Sequence, residues 1–285
     1  MVLQDIANGL VLGSIFALVA SGLSLKFGTL NIPNFAHGTL YMFGAYLAYT
    51  MVVQGIFFPI ALAVSIGVVA LLGVAVEKVA FRPIREAEHA LLFITAVAVF
   101  IIMEQSAYIA YGVQPRSIPV DIPALRIVVP GVLVLPESRV LILITTVSLM
   151  LGLRLFVTKT KVGKAIRAVA QNRVAASLMG VNIDTIASQV FAIGSAMAAL
   201  AGVLVGIAFF IEPGMGSIIL TVFVIIVFGG LGSIPGALIS AYTVGIVHSF
   251  VSSYLGAVFA DGTVFLILMI VLAVRPTGLL GIKER

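Results

Sequence analysis

The sequence predicts an all-α integral membrane protein, a polytopic helical bundle of about nine spans, and three observations carry that prediction. Hydrophobic residues fill 61% of the 285 positions and charged residues only 9%, against roughly 25% charged in a soluble domain. So few charges cannot coat a water-facing surface, and the mean hydropathy is +1.25. Apolar runs of about 20 residues, the length a helix needs to cross hydrocarbon, recur along the whole chain. Cysteine is absent, which excludes disulfides, thiolate zinc sites, iron–sulfur clusters and cysteine nucleophiles.

The chain opens Met1-Val2-Leu3-Gln4-Asp5, with one acid and no base, and its apolar run passes Gly22. A cleaved signal would start basic and stop sooner, so an uncleaved first span is expected over 7–25. Further spans are expected near 35–53, 57–77, 90–110, 138–157, 186–210, 216–230, 234–254 and 262–274, the last with a start reaching back over Asp261. The longest polar stretches, 112–137 and 158–184, fall short of the roughly 50 residues of a small domain. Residues 1–285 are therefore expected to form one membrane domain.

Lys and Arg in short loops set orientation. Lys26, then Lys78, Arg82 and Arg85, then Lys159 to Arg173, then Arg275, Lys283 and Arg285 are expected in the cytoplasm. That places the N-terminus outside and the C-terminus inside. The external loop 112–137 carries Arg116 and Arg126 beside Asp121 and Glu137. Its prolines (Pro115, Pro119, Pro123, Pro130, Pro136) and valines read as an extended cap or small hairpin. Six of the 16 basic residues are Arg154, Lys159, Lys161, Lys164, Arg167 and Arg173. This is a local cluster, not a basic surface for nucleic acid.

Gly9 and Gly13, Gly202 and Gly206, and Gly232 and Gly236 form four-residue pairs, the last extended by Ser240. Small residues let helices approach closely in lipid, either within one subunit or against a second one. Two segments interrupt the apolar pattern. Phe27 to Gly38 holds Asn31, Pro33, Asn34 and His37. It reads either as a cytoplasmic turn or as a broken helix lining a substrate path, with Asn31, Asn34, Phe35, His37 and Gly38 as path residues. Gly229 to Ala237 has four glycines and a proline, a tight turn or a re-entrant wedge. Ionisable groups in or near spans are Glu104, Glu212, His248 and Asp261. Glu212 is expected at an external helix end, Asp261 as a helix cap, and His248 bonded to a neighbouring helix.

Residues 162–180 predict a short amphipathic helix: Ile166, Ala170, Val174 and Leu178 on one face, Lys164, Arg167 and Gln171 on another, and Gly180 at its end. Such a helix suits an anionic leaflet, a groove on a soluble partner, or a plain connector. No phosphate-binding loop, metalloprotease motif, nucleophile elbow or acidic metal cluster is present in the sequence. Neither a catalytic set nor a metal site is expected, nor ATP bound by this chain, so any energy source sits on another subunit.

Asn34-Phe35-Ala36-His37-Gly38, flanked by Gly22-Leu23-Ser24-Leu25 and Gly44-Ala45-Tyr46-Leu47, resembles the branched-chain amino-acid ABC transporter permeases. So do Arg167-Ala168-Val169-Ala170, Gly229 to Gly236, and the closing Arg275 to Gly281. The length resembles the shorter of the two homologous permease types. The resemblance implies an uptake permease of the cell inner membrane, paired with a homologous permease, two cytoplasmic ATPases carrying ATP and Mg, and an external binding protein. It implies no enzyme activity on this chain. It also implies an ATPase-coupling loop with a Glu-Ala-Ala, three residues, Gly signature. Ala175, Ala176 and Gly180 match, but Val174 stands at the glutamate position. Lys164, Arg167 and Arg173 then serve as further coupling residues. Two competing readings are urea or short-amide import by the same architecture, and an ion-driven secondary transporter. The lack of intramembrane acid pairs disfavours the latter.

Overall fold

A computed structural model describes residues 2–120, 127–129, 133–275 and 277–281. Asp121, Pro123, Arg126, Pro130, Pro276, Lys283 and Arg285, invoked above, lie outside the described residues. The chain forms helices α1 (Val2–Leu30), α2 (Ala36–Val53), α3 (Phe58–Val76) and α4 (His89–Tyr111), then a hairpin of β1 (Ile127–Val129) and β2 (Leu133–Leu135). Helices α5 (Glu137–Lys159), α6 (Lys161–Gln171), α7 (Arg173–Leu178), α8 (Ile183–Ala208), α9 (Ile218–Gly229), α10 (Ile234–Leu255) and α11 (Ala257–Val274) follow. Among the described residues, seven helices are long and apolar enough to cross a membrane; the expected spans near 35–53 and 216–230 form α2 and the shorter α9. The fold class is the predicted one.

Helices α1 and α8 form the buried centre, with α10, α2 and α3 packed on them; α4, α5 and α11 lie outside and present apolar surface. Small residues allow this closeness. Gly9 and Gly13 lie against Gly245, Ile246, Ala241 and Tyr242 of α10. Gly202 lies against Tyr41 of α2, and Gly206 against Ile118 and Ile211. All these contacts are within the chain. Gly232 differs from the expectation: it sits in the turn before α10 with φ +79°, not on a helix face with Gly236 and Ser240. Its neighbour is Gly28 of α1.

Several expectations are corrected. Lys26 is not in a cytoplasmic loop: α1 continues to Leu30, and Lys26 is fully buried inside it. Its amine is satisfied there: Nζ lies 2.9 Å from His37 Nδ1, donates to Ser195 Oγ at 3.0 Å, and sits 4.9 Å over the Phe191 ring. The first break is therefore only 31–35. Segment 162–180 is two helices, because Asn172 is extended and its side chain caps α7 by accepting from Ala175 N at 2.9 Å. Asp261 is within α11, not at its cap, and pairs with His248 Nε2 at 3.1 Å. The π turn Glu77–Phe81 and the 3-10 turn Arg82–Ile84 prolong α3 beyond its expected end.

Candidate functional site

One end of the bundle collects the basic loops. Thr160 caps α6 by accepting from Gly163 N, and Asn182 caps α8 by accepting from Thr185 N. Helix α6 buries Gly163, Ile166 and Val169, at three-residue spacing, against Leu25, Leu153, Ile186 and Val190. The predicted face of Ile166, Ala170, Val174 and Leu178 is thus only partly right: Ala170, Val174 and Leu178 are exposed. Ala170 lies off the face that α6 buries, and the break at Asn172 resets the face for Val174 and Leu178 on α7. Lys164 and Arg167 are exposed, as is Ala175. Ala176 is 5% exposed and anchors α7 in the cluster with Ile186 and Val190. Gly180 has φ +84°, the left-handed conformation that ends a helix. Val174, Leu178 and Met179, 71%, 84% and 85% exposed, make an apolar patch beside the basic side chains.

Arg173 does not point outward with Lys164 and Arg167. Its guanidinium donates to the main-chain carbonyl of Leu30, the last residue of α1. Burial, and then the nearby Arg85, lowers its pKa from the usual arginine value. Arg85 bonds Glu77 and, at 2.9 Å, Asp184; Arg82 also bonds Asp184, and Ser188 donates to Glu77 at 2.9 Å. This network clamps the end of α3 to the start of α8. The pairing could not be read from spacing, because Glu77 and Asp184 are 107 residues apart; the signal was only that acids share these loops with bases.

The first break begins where Arg173 ends. Asn31 is exposed, with φ +56°, a left-handed conformation that asparagine tolerates. The chain then turns back into the bundle: Asn34 is 1% exposed, and neither its Oδ1 nor its Nδ2 has a partner among the described residues. Phe35 is half-buried and packs between Phe93 and Phe223. His37 is fully buried; its Nε2 lies 3.1 Å from the Val19 carbonyl, beside the Lys26 amine. Gly38 meets the main chain of Gly216. Leu23, Pro33, Asn34, Ile219 and Phe223 line a narrow niche with no room for a water molecule. Asn34 and Phe35 reach that niche, whereas His37 and Gly38 are sealed in packing and Asn31 is outside it. Lys26 and Ser195 belong to the same polar cluster and were missed, because a lone lysine near a span end reads as a loop residue.

The second break is a turn. Helix α9 ends at Gly229, Gly230 has φ +101°, and Ser233 caps α10 by accepting from Gly236 N at 3.1 Å. Gly236 meets Gly229 main chain to main chain. The C-terminal segment is laid across it, with Leu279 N donating to Phe228 O at 2.8 Å and Leu280 N to Gly229 O at 3.0 Å. The end of α1, the clamp, both breaks and the C-terminal segment thus share one side of the bundle. Gln4 bonds Val134 in both directions at 2.9 and 3.1 Å, so the start of α1 and the hairpin share the other.

Comparison with known proteins gives concordant results. Residues 5–274 match the family model described as the branched-chain amino acid transport system / permease component. The chain is 34% identical to the high-affinity branched-chain amino acid transport permease protein BraD of Pseudomonas aeruginosa, over 99% of this chain and 96% of that one. It is 34% identical to LivH of Escherichia coli over the same shares, and 29% identical to a probable LivH of Methanocaldococcus jannaschii, over 99% and 95%. Among solved structures, PsaBC from Streptococcus pneumoniae in complex with Fab superposes with TM-score 0.54 at 11% identity, over 95% of this chain and 91% of that chain. That likeness concerns the fold alone.

Proposed function

The chain belongs to the branched-chain amino-acid transport-system permease family, and we propose on that premise that it carries leucine, isoleucine, valine or related hydrophobic amino acids inward. It is an ABC importer permease subunit of the cell membrane. In this reading a homologous permease pairs with it, two cytoplasmic ATPases bind ATP and Mg, and an external binding protein delivers the cargo. The chain itself does no covalent chemistry. The side carrying α6 and α7 faces the cytoplasm, the α1 start and the hairpin face outside, and 1–285 acts as one domain.

The observation that supports coupling is the bond from Arg173 to the Leu30 carbonyl. An ATPase docking on Val174, Leu178 and Met179, with Lys164 and Arg167 at the rim, would move α7 as a rigid piece. Arg173 would pass that displacement to the end of α1 and so to Asn31–Phe35, where Asn34 and Phe35 border the closed niche. An unpaired buried amide is expensive in a membrane, roughly 1–3 kcal/mol by mutational measures. It fits a path residue that finds its partner, water or the cargo's polar end, only when the niche opens. Val174 in place of the family glutamate makes the docking more apolar and leaves the charge to Lys164 and Arg167.

Uptake of labelled leucine into cells carrying the complete transporter, competed by valine, urea and an aromatic amino acid, tests the cargo. Competition by valine but not urea is expected; competition by urea alone would replace the cargo assignment. Proteoliposomes holding this chain without ATPases should accumulate nothing under an ion gradient.

A further inference from the structure

The end of the bundle opposite the basic loops holds a second feature, a cavity of about 200 Å³. That is well beyond the roughly 10–15 Å³ a single water needs. Helices α1, α5 and α10 and Phe209, just past the end of α8, line it, and its two walls differ in hydrogen-bonding character. On one wall stands Arg139. It donates to Asn8 Oδ1 at 2.6 Å and stacks 5.4 Å over the Phe209 ring, and no carboxylate pairs with it among the described residues. A guanidinium has five N–H donors, so most of Arg139's remain free.

The other wall accepts. Ser253 spends its hydroxyl hydrogen on Asp5 Oδ1 at 2.7 Å, and Ser249 spends its own on the Asp5 main-chain oxygen at 2.8 Å. Both oxygens are left with lone pairs. A carboxylate only accepts, so the His248 nitrogen facing Asp261, Nε2, carries a hydrogen, and Nδ1 is buried with no partner among the described residues. Asp5 is itself 7% exposed and has no cation partner among the described residues. Val11, Leu12 and Phe209 add apolar surface to the lining, and Ser252 adds a further hydroxyl. A half-buried cation and a buried acid, neither with an ion-pair partner among the described residues, thus lie at the same end of the bundle, where a ligand carrying both charges would answer them.

We propose that this cavity is a receptor for a free amino-acid zwitterion with an aliphatic side chain. Arg139 takes the carboxylate through charge-assisted hydrogen bonds. Ser253 and Ser249 take the ammonium, with Asp5 as the positioning residue that fixes their lone pairs and supplies the countercharge. Leu12, Val11 and Phe209 take the side chain. The proposal rests on the cargo reading above and adds to it a staging site at the outer end of the subunit.

The full chain, purified into nanodiscs, is titrated calorimetrically with L-leucine, with isocaproate, which lacks the ammonium, and with isopentylamine, which lacks the carboxylate. Saturable leucine binding is expected, with each analogue weaker by about tenfold or more. Arg139→Gln should lower leucine affinity by at least about tenfold and leave isopentylamine unchanged, while Ser253→Ala should weaken isopentylamine and leave isocaproate unchanged. Absent leucine binding, equal binding of the three compounds, or leucine affinity unmoved by Arg139→Gln overturns the proposal. The wild-type analogue series decides the matter if a variant fails to fold. Leucine uptake by the complete transporter separates the two ideas: uptake without cavity binding removes the receptor alone, and cavity binding without uptake removes the transport reading alone.

Discussion

The two breaks in the helical pattern lie side by side, Gly28 against Gly232, yet they are held in opposite ways. Gly229–Ser233 is locked by main-chain contacts that only glycine permits and by the C-terminal segment bonded across it. Asn31–Phe35 is tied at its start by a long side chain, Arg173, and contains a buried amide with no partner among the described residues. Close-packed backbone has one arrangement; a side-chain tether with an unsatisfied polar group beside it has alternatives of similar free energy. In the proposed transport cycle the glycine turn would be the post and the asparagine segment the moving part.

The comparison breaks first at Gly236. A Cβ there would overlap the Gly229 main chain, so Gly236→Val should destabilise the bundle by the upper end of the roughly 1–3 kcal/mol overpacking range or more. A thermal melt in detergent measures this, and a wild-type melting point would mean the post is soft. Arg173→Ala should cost about 1.5–3 kcal/mol, the worth of a hydrogen bond to a charged group. ATP hydrolysis by the assembled transporter should survive while uptake falls; equal loss of both would move Arg173 from coupling to plain structure. Asn34→Leu should raise the melting point, by the equivalent of about 1–2 kcal/mol, because the unsatisfied amide is replaced by a similar apolar volume. Uptake should drop in the same variant, and a lowered melting point would show that Asn34 is paired at rest. Leu178→Asp is the smallest change for the fold, within about 0.5 kcal/mol because the side chain is exposed. It should nonetheless weaken co-purification of the ATPase, and unchanged co-purification would place docking elsewhere.

The same contrast sorts what could be read from residues in order. Gly229 to Ala237 was legible as a break because glycine and proline act locally. Asn31 to Gly38 was legible as polar and irregular, but its extent was not. Lys26 looks like a loop charge until Ser195, 169 residues away, and His37 supply its partners. Segment 162–180 showed an amphipathic period, yet Asn172 resets it; an asparagine before a helix is a capping signal that the four-residue repeat obscured. Arg139 and Asp5 carried no signal at all, since each is an ordinary residue near a span end.

Membrane residence and helical class were determined by the sequence, because hydrophobic length acts through the bilayer, residue by residue, without regard to partners. Which polar groups are paired and which are left open was decided only by the tertiary structure. Lys26 is sealed, Asn34 is orphaned, Arg173 grips α1 and Arg139 waits in a cavity, because each outcome depends on the atoms that distant helices bring within about 3 Å, and no local pattern encodes that.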